Sequence, residues 1–123
     1  KDAARILLCT GKIGHELRAE RNRRGDRATA IMFLDQMYPF PEQDLAGALA
    51  QHPNAHEVVW VQEEPANMGA LFFVLPRLER LAQGRAVRSV KRSASATPAT
   101  GSAKAHQMEQ QTLLTLAFTT AEH

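Results

Sequence analysis

The chain has 123 residues, 44% of them hydrophobic, enough for one ordinary domain around one core. A net charge of +2 is too small to argue for a nucleic-acid surface, and its one Trp, one Tyr and five Phe are nowhere interleaved with basic residues as a base-stacking platform requires. The single cysteine excludes an internal disulfide, and no run approaches the roughly 20 apolar residues of a membrane span. The opening Lys-Asp-Ala-Ala-Arg has neither the pattern of a signal peptide nor an initiating methionine, so the sequence reads as a cytosolic-type piece of something longer.

Residues 5–10 (Arg-Ile-Leu-Leu-Cys-Thr) have the wording of a strand covered on both faces, with Cys9 as a small buried hydrophobe. Gly11-Lys12 turns this strand into a helix over residues 13–24, whose apolar stripe, Ile13 and Leu17, is narrow. Arg18, Arg21, Arg23 and Arg24 crowd its end, where cations suit the helix dipole, and Gly25 is the expected stop. The cluster reads as a solvated helix end rather than a binding patch. Residues 28–34 form a second buried strand, and Pro39-Phe40-Pro41 fixes an extended turn. Pro41 and Glu42 open a helix to about residue 51, with Leu45, Ala48 and Leu49 inside, and Pro53-Asn54 ends it.

Val58-Val59-Trp60-Val61 is the third strand, with Trp60 expected at the centre of the core. It is expected to stop in the polar turn Gln62-Glu63-Glu64, after which Pro65 presets the start of a helix and Asn67 caps it. That helix runs to about residue 83, with Leu71, Phe72, Leu75, Leu78 and Leu81 at helical spacing, a kink expected at Pro76, and Gly84 closing it. Residues 86–90 are a weaker, more polar strand placed nearer an edge. Residues 93–102, rich in Ser, Ala, Thr, Pro and Gly, are a loop. Ser102 is the candidate cap of a last helix to about residue 119, carrying His106, Glu109, Gln110, Leu113, Leu114, Ala117 and Phe118. Strand–helix alternation of this kind predicts an α/β fold: a three-layer α/β/α sandwich around a mostly parallel sheet, joined by right-handed crossovers.

Ligands of open parallel sheets sit outside the carboxyl ends of the strands. Four segments fall there: Thr10-Gly11-Lys12, Asp35-Gln36-Met37-Tyr38, Gln62-Glu63-Glu64, and the stretch from Arg92 to Lys104. Lys12 and Lys104 each stand at a helix start, where backbone N–H groups already favour anions, so an anion or effector pocket of Lys12, Arg92 and Lys104 is one reading. Two solvated lysines are the plainer one. Other chemistries lack their patterns. Gly11-Lys12 has no upstream glycine and no following Ser or Thr of a phosphate loop. His15-Glu16 has no second histidine four residues on, the five histidines have no ligand spacing with Cys9, and no Gly-x-Ser-x-Gly occurs. Glu63 and Glu64 are the one candidate acid/base pair, though adjacent carboxylates usually cap and solvate. No catalytic, cofactor-binding or metal-binding residue is assigned.

The wording of the third strand and its turn is more specific than its composition. Trp60-Val61-Gln62-Glu63-Glu64-Pro65-Ala66-Asn67-Met68-Gly69 resembles a signature near the carboxyl end of the 2-oxoglutarate dehydrogenase decarboxylase component. Four more segments match that family in the same order. They are Ile6-Leu7-Leu8-Cys9-Thr10-Gly11-Lys12, Gln36-Met37-Tyr38-Pro39-Phe40-Pro41, Arg92 with the segment from Ala94 to Gly101, and Lys104-Ala105-His106. The resemblance spans nearly the whole chain, and 2-oxoadipate enzymes share it.

The resemblance implies a transketolase-type carboxyl-terminal fold, a parallel sheet with one reversed edge strand. It implies a parent enzyme that decarboxylates 2-oxoglutarate with thiamine diphosphate and magnesium held in upstream domains, and passes a succinyl group to the lipoyl arm of a dihydrolipoyl succinyltransferase. Implied partners are those upstream domains and a second copy of the parent, in the bacterial cytoplasm or, in a eukaryote, the mitochondrial matrix. In some relatives acetyl-CoA activates through this domain, and Lys12, Arg92 and Lys104 match positions near such a site, with acetyl-CoA or AMP the ligand; no nucleic acid and no membrane is expected. The sequence departs from the family at Phe33, where arginine is common, at Leu71, where tryptophan is, and at Ser93, where proline is. Phe33 removes a cation from the pocket. Two readings of other classes stand beside this one: a stand-alone nucleotide or acyl-CoA binding module, and an independent enzyme using Glu63 or Glu64.

Overall fold

Arg5–Cys9, β1, is buried at all five positions, and its side chains alternate between two cores. In the computed structural model, which describes residues 3–34, 40–65, 71–92 and 103–119, β1 is followed by α1 (Ile13–Arg24), β2 (Thr29–Phe33), α2 (Glu42–Gln51), β3 (Glu57–Pro65), α3 (Leu71–Leu81), β4 (Ala86–Arg92) and α4 (Ala103–Phe118). The strands lie in the order β2-β1-β3-β4, and every pairing is parallel. Ile6, Leu8, Val58 and Trp60 meet Leu45 and Leu49 of α2 and Leu71, Val74 and Leu78 of α3 on one face. Leu7, Cys9, Val59, Val61 and Val90 meet Ile13 and Leu17 of α1 and Leu113, Leu114, Ala117 and Phe118 of α4 on the other. Period-two alternation along buried strands thus builds the three layers.

α1 ends where its sequence says. Gly25 takes the left-handed conformation (φ 63°) that a side chain resists, and the N–H groups of Gly25 and Asp26 close the last turn on Asn22 and Arg21. β4 lies at an edge, as its polar wording implies. Four expectations are corrected. β2 is not a fully buried strand: residues 30–33 are only partly covered, because β2 is the other edge. β3 does not stop at Val61 but runs through Gln62 to Pro65, with an irregular register against β4 before Pro65 pairs with Arg92. Among the described residues no strand is reversed. Phe72 is not on the buried stripe of α3 but 73% exposed, since Leu71, Val74 and Leu78 occupy the inward side at three- and four-residue spacing. α3 runs on through Pro76. The capping expectations for Asn67 and Ser102 lie outside the described residues.

Trp60 is fully packed, and its indole N–H donates to Gln62 Oε1 at 2.8 Å. The Gln62 amide N–H₂ in turn donates to the Glu64 carbonyl at 2.9 Å. These two bonds let a glutamine remain buried, which is why polar wording did not end the strand.

The amino edge of the sheet is closed by arginines. Glu57 is buried at the start of β3 and accepts from Arg5 Nε at 2.6 Å and Arg88 Nε at 2.9 Å. Arg5 also donates to the Phe118 carbonyl (3.0 Å), and Arg88 to the carbonyls of Leu116 (3.0 Å) and Thr119 (2.6 Å). The free carbonyls at the end of α4 are satisfied from the sheet. Arg85 does the same for α2 and α3, donating to the carbonyls of Leu49, Ala55 and Ala82 at 3.0–3.1 Å. Glu20, buried in α1, binds Arg23 and Arg24, while Arg21 donates to the Thr29 carbonyl. The arginine cluster at the end of α1 is therefore largely engaged in structure and only in part a solvated helix end.

Candidate functional site

The chain passes from β1 outward to β2, then crosses to β3 on the other side of β1. Strand order thus reverses between β1 and β3, the place where open parallel sheets leave a crevice beyond their carboxyl ends. Residues 10–12 leave β1 there, and residues 62–64 belong to the carboxyl end of β3.

Lys12 occupies the cap position of α1 in a helical conformation, with no side-chain cap, after Gly11 at φ 73°. Its side chain is 76% exposed, with Nζ 4.0 Å from Glu16 Oε2. α1 and α4 pack on the same face of the sheet, and both run from its carboxyl edge to its amino edge. Lys104 lies in the first turn of α4. Arg92 is the last residue of β4, and β4 is two strands from β1, about 10 Å along the edge. The fold brings all three positions to one edge of the sheet. The side chains of Arg92 and Lys104 lie outside the described residues, as do residues 35–38.

Three residues that the sequence did not single out join this edge. Glu16 Oε1 accepts from the Gln110 amide N–H at 2.8 Å, tying α1 to α4. Phe33, at the end of β2, lies against α1: its ring covers Gly14, where any side chain would collide with it. The His15 ring lies 5.4 Å away, and the Arg18 guanidinium sits over the ring at 4.9 Å. The position at which the resemblance implies arginine is thus an aromatic surface with a cation stacked on it from α1. Leu71 is buried against Trp60 and Val74, so that departure falls in the core and not on a surface. Ser93 lies outside the described residues.

Glu63 and Glu64 do not form an acid/base pair. Successive strand residues point to opposite faces; Glu64 is exposed and Glu63 partly buried, with Oε2 out of contact with solvent and with no hydrogen-bond partner among the described residues. Burial pushes the Cys9 thiol up to about 11, against a smaller opposing pull from Arg18, so it stays protonated at neutral pH and acts as a hydrophobe. Burial also pushes the Glu57 carboxyl up. The hydrogen bonds and charges of Arg88 and Arg5 together outweigh it, leaving Glu57 below the usual glutamate value. Among the described residues no group of three or more His, Cys, Asp or Glu side chains is placed to hold a metal ion. They offer no donor set for a magnesium-bound diphosphate.

The family described as 2-oxoglutarate dehydrogenase C-terminal matches residues 1–118. The chain belongs to this family. It is 41% identical over 115 residues to a 2-oxoglutarate dehydrogenase E1 component of Cupriavidus necator, covering 93% of the chain and 12% of that relative. It is 39% identical over 123 residues to the E1 component of Azotobacter vinelandii, covering 97% of the chain and 13% of the relative. A multifunctional 2-oxoglutarate metabolism enzyme of Mycolicibacterium vanbaalenii is 42% identical over 121 residues, covering 94% of the chain and 10% of the relative. This 2-oxoglutarate dehydrogenase C-terminal domain therefore spans about an eighth of the length of the E1 relatives it matches. The exposed Lys12 and the buried Trp60–Gln62 strand end both fall inside the matched residues.

Proposed function

We propose that this domain serves assembly and regulation in an enzyme that oxidatively decarboxylates 2-oxoglutarate and transfers the succinyl group to a lipoyl arm. The family match over residues 1–118 carries this reading. In it, thiamine diphosphate and magnesium are held elsewhere in the parent, consistent with the lack of a metal donor set among the described residues here. The partners are the remaining domains of the parent, a second copy of it, and a dihydrolipoyl succinyltransferase. The cytoplasm is the compartment, as in bacterial relatives. The domain by itself is expected to have no decarboxylase activity. Release of carbon dioxide from 2-oxoglutarate by the pure 123-residue chain, with thiamine diphosphate and magnesium added, would refute that.

The carboxyl edge is the regulatory surface in this proposal. Lys12, Arg92 and Lys104 would receive a phosphate-bearing effector such as acetyl-CoA or AMP, helped by the amino ends of α1 and α4. What supports it is the exposure of Lys12 at a bare helix start, beside the crevice between β1 and β3. With Phe33 in place of an arginine, affinity is expected in the micromolar to millimolar range, on the order of 4–8 kcal/mol. The 2-oxoadipate reading has less support, because the three relatives above are named for 2-oxoglutarate.

A further inference from the structure

α4 is held differently along its length. In its carboxyl half Leu113, Leu114, Ala117 and Phe118 are buried. The carbonyls of Leu116, Phe118 and Thr119 are bonded by Arg88 and Arg5, both fixed by Glu57, and the Arg24 guanidinium lies 5.4 Å over the Phe118 ring. In its amino half none of the side chains of residues 106–112 is buried. What reaches across from α1 is Glu16, whose Oε1 accepts from Gln110 at 2.8 Å while Oε2 faces Lys12 at 4.0 Å.

We infer that α4 is a lever, anchored at its carboxyl half by the Glu57–Arg5–Arg88 cluster, with an amino half that opens from the sheet and is latched to α1 by the Glu16–Gln110 hydrogen bond. The physical basis is the asymmetry of burial. Segments with few buried apolar contacts open locally at lower free energy than those packed in a core. A hydrogen bond to a carboxylate is among the stronger single contacts available to hold such a segment. Release of the latch would carry the first turn of α4, with Lys104, away from the carboxyl edge, and closure would return it. The device is independent of the anion reading, since it needs no ligand.

Amide hydrogen exchange on the 123-residue chain, read separately over residues 103–110 and 111–119, tests it. Gln110→Ala and Glu16→Ala should each speed exchange in the amino half by roughly tenfold, about the worth of one charge-assisted bond. The carboxyl half should keep its wild-type rate, and the double variant should add little to either single one. Alanine is the better helix former, so Gln110→Ala cannot loosen α4 through propensity. Glu16→Gln keeps an acceptor and should restore most of the protection. Unchanged exchange in both alanine variants would overturn the latch. So would equal acceleration along all of α4, which would make the helix one unit, or fully additive effects in the double variant, which would mean that the two side chains are not partners.

Discussion

At the amino edge of the sheet Arg5, Arg85 and Arg88 end on backbone carbonyls of α2, α3 and α4, with Glu57 buried between two of them. At the carboxyl edge Lys12 stands 76% exposed at the start of α1, its nearest carboxylate oxygen 4.0 Å away. Both edges are rich in cations, and helix ends of opposite polarity account for the difference. Carboxyl ends of helices present free carbonyls, and at the amino edge guanidiniums with several donors satisfy them. Amino ends present free N–H groups that a lysine cannot satisfy, so positive charge there has no internal use and is available to an anion. A count of basic residues would have weighted the two edges alike.

The largest effect should come from breaking the amino edge. Glu57→Ala leaves Arg5 and Arg88 without their buried carboxylate and should cost about 3–5 kcal/mol. Chemical denaturation should show this as a large fall in midpoint. A loss below about 1 kcal/mol would mean that the two edges do not differ in structural role. Trp60→Ala, in the layer between the edges, should cost roughly 3–5 kcal/mol by truncating a core aromatic and orphaning Gln62. An unchanged melting temperature would show that the centre of the sheet is not where the structure puts it.

The same comparison has a sign in pH. The folded Glu57 titrates below the unfolded value near 4.5, so its contribution is present above that value and is lost as pH falls through the lower folded value. Stability measured from pH 6 downward should therefore decline, and Glu57→Gln should remove part of that decline while lowering stability at neutral pH. A decline of the same steepness in the variant would assign the acid sensitivity to other carboxylates. The smallest effect belongs to the carboxyl edge: Lys12→Ala should change stability by no more than about 0.5 kcal/mol, as for an exposed side chain with a weak pair. A loss of several times that would make Lys12 a structural residue like the arginines opposite.

Much of this was legible in the sequence, for reasons that differ by element. α1 was readable to the residue because Gly25 marks a left-handed stop and the arginines mark a helix end. The three-layer fold followed from alternation, and Lys12 and Lys104 from their place after strands. The edge position of β2 was not readable, since an apolar run gives no sign of whether a neighbour lies on both sides. The extension of β3 was hidden because Gln62 is kept inside by bonds to Trp60 and Glu64, and composition cannot show such bonds. The Glu16–Gln110 tie joins residues 94 apart and exists only through tertiary packing. Glu63 and Glu64 suggested a pair by adjacency, the one spacing at which a strand separates side chains.

Calorimetric titration of the chain with acetyl-CoA, AMP and sulfate tests most directly the claim that the carboxyl edge is built for an anion and the amino edge for the fold. The account predicts heat with the phosphate-bearing ligands at micromolar to millimolar concentration, abolished in Lys12→Ala with Lys104→Ala while the melting temperature of that double variant stays at the wild-type value. No heat with any of the three at millimolar ligand, or binding that survives the double substitution, would contradict it.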